Sequence, residues 1–253
     1  MRRLPRFLLP IAVVFGLLLS AWPATAAQPV SVLRQSVPKV MGSRNGGPVT
    51  TLGSAAAIGD RLAVTAYHVI GDAQNIYLLF LDGTTVPVRP VLAEPAADLA
   101  VLRADRSLPA APFAIRDGSV RLGDAQTVVG YRQDLAEQPS VKYGKVTGLV
   151  TPGAPGPDGR EWPLVSSDTA ASFGDSGGPV LDSDSRLTGI VRGGITTGGT
   201  PSLLSTPAGA ISAYLARGWV LDRSGNPVAS QTSQPGVSYQ PYPYAAQSPW
   251  WRW

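Results

Sequence analysis

"ASFGDSGGPV", residues 171–180, sets Gly174, Asp175, Ser176, Gly177, Gly178 and Pro179 in unbroken succession. Glycine loses backbone entropy in a helix or strand, and proline removes a donor, so the run belongs to neither. A serine held among glycines has two readings. One is an ordinary turn. The other is a backbone that must take a conformation, or a close approach, that any side chain would block. The second reading has consequences elsewhere in the chain.

If Ser176 is a nucleophile, its hydroxyl needs a base to take the proton. Near neutral pH that is the property of histidine. The chain contains one histidine, His68, which follows "TAY" at the end of an apolar run. An imidazole acting as base must be held in one tautomer, and a buried carboxylate does this. Asp98 opens the apolar run "DLAVL" and sits where an acid suits the edge of a cleft better than a core. Attack on a carbonyl builds an oxyanion, which backbone N–H groups must meet. The N–H groups of Gly174 and Ser176 are the donors expected to do so.

Composition narrows the alternatives. There is no cysteine, which excludes thiol catalysis and cysteine-ligated metal. One histidine excludes a multi-histidine metal site. No metal or cofactor is expected. The 28 Gly and 24 Pro are more than a helical protein carries and point to short strands and turns.

"RLAVTAYHV" reads as a strand running from Arg61 into a turn at His68. "NIYLLFLDGTTVPVRPVLA" reads as a hairpin turning at Asp82-Gly83. "DLAVLRAD", "AQTVVGYR", "SVKYGKVTGLV" and "RLTGIVRGG" read as further strands. Residues 106–123 are looser. "TPGAPGPDGR", residues 151–160, reads as a Gly/Pro loop. "TPAGAISAYLARGWV" is the best helix candidate, with Ile211, Leu215 and Trp219 at helical spacing.

"GDSGGPV" resembles the nucleophile motif of trypsin-like serine proteases, "TAYHV" their histidine motif and "DLAVL" their aspartate motif. The order His68, Asp98, Ser176 is that family's order. The closer resemblance is to the HtrA-type bacterial branch. It rests on "GSAAAIGDRLAVTAYHVIGDA", "DGTTVPVRPVLAEPAADLAVLRAD" and "SSDTAASFGDSGGPVLDSDSRLTGIVRGG", and spans residues 52–217. It implies an all-β fold of two six-stranded antiparallel β-barrels, chymotrypsin-like, with the His68–Asp98–Ser176 triad between them and a C-terminal helix. It also implies a serine endopeptidase acting on polypeptides through an acyl-enzyme.

Three features depart from that branch. HtrA-type proteases usually continue into a PDZ domain, and the roughly 30 residues after Asp222 are too few for one. Asp175 stands where the branch commonly has Asn. The "IVGG"-like start that animal digestive relatives expose by cleavage, as an activation switch, is absent. If buried, Asp175 then needs an internal cation. Arg132 in "GYRQD" is the expected one.

The resemblance places the primary specificity pocket at Ala170, Ala171, Arg192, Gly193 and Gly194. Ala170 stands at the expected pocket base and carries no acid, so a neutral residue before the scissile bond is expected over Lys or Arg. Arg192 either enters the pocket, favouring acidic residues, or turns toward Asp98 or solvent by strand alternation. The loop at 151–160 corresponds to a regulatory loop in HtrA-type enzymes, and a plain flexible loop is an equally good reading.

The ends of the chain read differently. "MRRLPR", the apolar "FLLPIAVVFGLLLSAW" and the small residues around Ala24 and Ala26 have the form of a signal peptide over residues 1–27, either cut near Ala26 or Ala27 or retained as an anchor. Export to the cell envelope or beyond is therefore expected. Removing that segment leaves 18 basic against 17 acidic residues, and no dense basic stretch follows. A nucleic-acid partner is not expected. The N-terminal barrel is expected over 28–122 and the C-terminal barrel with its helix over 123–222. A Pro/Gln/Ser/Tyr-rich tail of disordered composition is expected over 223–253. The tail ends in Trp250, Trp251, Arg252 and Trp253, a combination suited to contact with the cell envelope, or simply a solvated end. The competing reading of the whole chain is a catalytically silent peptide-binding or envelope-adhesion module on the same fold.

Overall fold

The structure, a computed structural model, describes residues 27–132, 137–197 and 200–217, with a final strand pair at 220–221 and 227–228. The expected signal segment up to residue 26, Trp219, most of the tail and its Trp-rich end lie outside the described residues.

Helix α1 (Val30–Gln35) leads into β1 (Lys39–Arg44), β2 (Thr50–Ser54), β3 (Ala56–Gly59) and β4 (Leu62–Thr65). The one-turn helix α2 (Tyr67–Ile70) follows, then β5 (Ala73–Leu79), β6 (Thr85–Glu94) and β7 (Leu99–Ala104). The second half holds β8 (Ala125–Gly130), β9 (Ser140–Pro155), β10 (Glu161–Ser167), β11 (Pro179–Leu181), β12 (Leu187–Thr197) and β13 (Thr200–Pro207). Helix α3 (Ala208–Ala216) and the short pair β14 (Val220–Leu221) and β15 (Pro227–Val228) end the described chain. The tail expected from residue 223 thus includes one short strand paired back on residues 220–221.

The two halves build the two sheets that the resemblance implies. The first runs β2-β1-β5-β6-β7-β4-β3, and the second closes as β10-β13-β12-β11-β8-β9. Seven strands stand in the first sheet, against the six expected, because one run of chain serves both ends. Only Ala55 separates β2, which pairs with β1, from β3, which pairs with β4. All pairings between the strands are antiparallel, so each strand offers alternate side chains to the interior. "LAVLRA" of β7 is buried at every position but Arg103, because one face meets the core of its own sheet and the other the core shared with the second half.

One core cluster joins the halves. It holds Ala56, Val64, Leu92 and Leu99 from the first, and Val129, Leu187, Ile190, Ile211 and Tyr214 from the second. Helix α1 adds Leu33. Thr206 Oγ1 donates to the Ala97 carbonyl at 2.9 Å, a buried tie across the same boundary. The site expected between the halves therefore rests on shared packing.

One expectation needs correction. The Gly/Pro stretch 151–160 is mostly strand. β9 continues to Pro155, pairing Pro155 with Glu161 and Ala154 with Trp162, and only 156–160 turn. Gly153 permits this, since a Cβ there would lie 2.0 Å from the Trp162 carbonyl oxygen. Its glycine serves a close strand crossing, a use that composition alone reads as a loop.

Candidate active site

His68 lies in α2, immediately after β4. Asp98 caps the start of β7 with a left-handed backbone, φ 49°. A non-glycine residue there is strained, and the conformation aims the carboxylate at His68. Asp98 Oδ1 accepts the His68 backbone N–H at 2.9 Å. His68 Nδ1 stands 2.9 Å from Oδ2 and 3.1 Å from Oδ1. An ionised carboxylate only accepts, so Nδ1 carries the proton and Nε2 is left as the basic nitrogen. The Asp98 side chain is 6% exposed and that of His68 is 18%, so the pair is shielded and the imidazole keeps an open edge.

Arg192 does not stand apart from this pair. Its Nε is 3.9 Å from Asp98 Oδ2. Of the alternatives the sequence leaves open, the structure takes the turn toward Asp98. Its Nη1 is buried and makes no hydrogen bond among the described residues.

The serine loop is docked on the histidine-bearing half. Ser54 N–H donates to the Ser176 carbonyl at 2.8 Å, and Ser54 Oγ donates to the Gly174 carbonyl at 2.7 Å. Tyr131 N–H donates to that same Oγ at 2.8 Å. Thr65 Oγ1 donates to the Ser54 carbonyl at 2.7 Å. A Cβ on Gly53 would meet both the Ser176 carbonyl and the side chain of Val69, which adjoins His68. One on Gly177 would lie 2.0 Å from Thr65 Oγ1 and 2.9 Å from the Ala66 nitrogen. Gly177 (φ 79°) and Gly174 (φ 91°) are left-handed. Gly178 has Val129 and Asp175 carbonyls where a Cβ would go. The glycines around Ser176 thus let the loop fit between the two sheets.

The carbonyls of Ser172, Gly174, Asp175 and Ser176 are all engaged as acceptors within this packing. The N–H groups of Gly174 and Ser176 make no hydrogen bond among the described residues. Two unpaired backbone donors beside a half-buried serine are what an oxyanion would need.

Asp175 is fully buried. Its cation is Lys142, at 2.5 Å from Oδ2, where the sequence suggests Arg132. No local feature of "SVKYGKVTG" marks that lysine as inward-facing. Ser54 was equally hidden, a small polar residue before an apolar run.

Of the expected pocket, Ala170 is exposed and Ala171 half-buried against Val128, Val180, Val191 and Leu203. Gly193 faces open space, with no atom within 4 Å of where a Cβ would stand. No acid lies among these five residues.

Comparison with known proteins agrees with the geometry. The sequence model of the trypsin-like peptidase domain matches residues 53–190, more than half of the chain. The chain belongs to the trypsin-like peptidase family. Within that family it is 26% identical over 174 residues to the mitochondrial serine protease HTRA2 of Bos taurus, covering 68% of this chain and 37% of that protein. A probable periplasmic DegP-like serine endoprotease of Rickettsia conorii is 27% identical over 139 residues, 51% of this chain and 25% of that one. The chain thus spans well under half the length of these two curated relatives. Among solved structures, the active form of the Rv3671c protease from M. tuberculosis superposes with a TM-score of 0.64 at 19% identity. That match covers 81% of this chain and 93% of that one, and shows the shared fold.

Proposed function

We propose that this family member is an exported serine endopeptidase that cleaves polypeptides through an acyl-enzyme. Ser176 attacks the scissile carbonyl. His68 Nε2 takes its proton and later returns it to the leaving amine, while Asp98 holds the imidazole and stabilises its charged form. The Gly174 and Ser176 N–H groups stabilise the oxyanion. Water then hydrolyses the acyl-enzyme. The observation that carries this reading is the double engagement of Asp98 by His68, ring and backbone, with the serine loop locked against the same half of the molecule.

A neutral residue before the scissile bond is expected, since no acid lies among Ala170, Ala171, Arg192, Gly193 and Gly194 to pair a desolvated cation. Export follows from the N-terminal charge and apolar pattern, and a relative described as periplasmic supports it.

A fluorophosphonate probe tests the chemistry. Wild-type protein is expected to form an adduct at Ser176, and Ser176→Ala is expected to lower turnover by about 10⁶. Folded wild-type protein with no adduct favours the silent binding module instead. A peptide library tests the pocket, and dominant cuts after Lys or Arg would overturn the neutral preference.

A further inference from the structure

The fully buried carboxylate of Asp175 lies directly before Ser176, and the mechanism above gives it no task. Its Oδ1 has no hydrogen-bond partner among the described residues and lies against Gly130, where a Cβ would come within 2.9 Å of it. All its interactions fall on Oδ2, which accepts the Ser172 N–H at 2.7 Å and meets Lys142 Nζ at 2.5 Å. A buried carboxylate stays ionised only if a cation compensates it. Lys142 is the cation placed there.

That ammonium does more than neutralise. It also donates to the Ala170 carbonyl at 2.9 Å and to Ser172 Oγ at 3.0 Å. An ammonium has three donors, and here three acceptors on one short segment take them all. The segment runs from the expected base of the specificity pocket, Ala170, through Gly174 to the residue before Ser176. Lys142 itself is fixed from behind. It stands in β9 in register with Val128 of β8, and its side chain is 18% exposed. Three residues further along β9, the Lys145 N–H donates to Asp168 Oδ1 at 2.7 Å, tying the start of the same segment to the same strand. Gly144 between them has no room for a side chain, since a Cβ would meet Thr169 and Asp168.

We propose that Lys142 is a positioning residue of the active site. Through one buried ammonium it holds residues 170–175 in the conformation that presents the Gly174 and Ser176 N–H groups and the pocket wall. The inference rests on the reading of Ser176 as nucleophile.

The test is steady-state kinetics on a neutral peptide substrate, with fluorophosphonate labelling and melting temperature measured on the same samples. Lys142→Met is expected to lower kcat about 10²-fold, the scale of a lost oxyanion donor, and to raise KM by a smaller factor as the pocket wall at Ala170 loosens. Lys142→Arg keeps the charge and is expected to stay within tenfold of wild type. A folded Lys142→Met with wild-type kcat overturns the proposal. So does an Arg variant as impaired as the Met variant, or a loss confined to melting temperature. If Lys142→Met does not fold, the pair Lys142→Gln with Asp175→Asn replaces it, because it leaves no buried charge. It is expected to lose at least tenfold in kcat, and wild-type kcat in this double variant overturns the proposal. A wild-type chain that does not label overturns both this proposal and the nucleophile reading. A labelled wild type with unimpaired Lys142 variants overturns this one alone.

Discussion

Ser54 spends all of its polar groups on the serine loop and its supports. Its N–H reaches Ser176, its hydroxyl donates to Gly174 and accepts from Tyr131, and its carbonyl accepts from Thr65. The hydroxyl is the piece a substitution can remove without touching the backbone. Ser54→Ala leaves the Tyr131 N–H and Gly174 carbonyl without that partner. The cost of such unpaired buried groups is about 1–3 kcal/mol. We expect an unfolding free energy from urea titration lowered by that amount and kcat/KM reduced at least tenfold, because the Gly174 peptide is released. A folded variant with wild-type kcat/KM would show that the loop holds its shape without the hydroxyl. His68 and Asp98 differ from Ser54 in legibility. Each stands in a short motif whose neighbours mark it, whereas Ser54 is recognisable only by the carbonyls around it.

At the scale of elements, the junction between β4, α2 and the serine loop is close-packed at glycines, and Gly177 meets β4 most tightly. Gly177 is left-handed, and a side chain there would enter the space of Thr65 and Ser54. Gly46 is left-handed too, but nothing lies within 4 Å of its Cβ position. Comparing the two separates backbone strain from collision. Gly46→Ala is expected to cost about 1–2 kcal/mol, the left-handed penalty alone. Gly177→Ala is expected to cost more than about 3 kcal/mol, since overpacking adds to it, and to abolish labelling of Ser176. Equal midpoints for the two variants in urea unfolding would show that the loop moves aside. Strands β4 to β9 and β12 are readable from apolar runs and turn residues, whereas β1 to β3, β10, β11 and β13 carry too little apolar pattern to be picked out locally. Nor is the end of β9 readable, because Gly153 and Pro155 look alike in a loop and in a strand that crosses its neighbour closely.

On the scale of the molecule, the two sheets share one core, and Tyr131 sits at the end of β8 where they meet the serine loop. It is 2% exposed, and burial pushes its phenol up to about 12. Lys39 Nζ lies 4.9 Å from its ring centre and favours ionisation, so burial is the larger effect. In the unfolded chain the phenol ionises near pH 10. Between about pH 10 and 12 the unfolded state therefore releases a proton that the folded state keeps, and stability falls as pH rises through that window. Below it the contribution is complete. The loss amounts to at most about 3 kcal/mol for this one group, at about 1.4 kcal/mol per unit. Tyr131→Phe is expected to flatten the decline, so the wild-type urea midpoint falls relative to that of the variant between about pH 9 and 11.5. Parallel declines would remove Tyr131 as the cause.

The sequence by itself determined the family, the all-β fold and the three residues proposed for the chemistry. Those are carried by contiguous motifs, where each residue's type and neighbours are dictated by the local backbone and by the reaction. Only the tertiary structure decided that Lys142 answers Asp175, that Ser54 ties the serine loop to both sheets, and that Arg192 lies beside Asp98. In each case the partners come from different elements. A lysine in a half-buried strand has the same sequence appearance whether it faces solvent or a buried carboxylate. What distinguishes the two is the register of β8 on β9 and the path of residues 170–175 over β9. "ASFGDSGGPV" shows both sides. Its serine could be read from the string, while the need for Gly177 and Gly178 came from the strands packed against them.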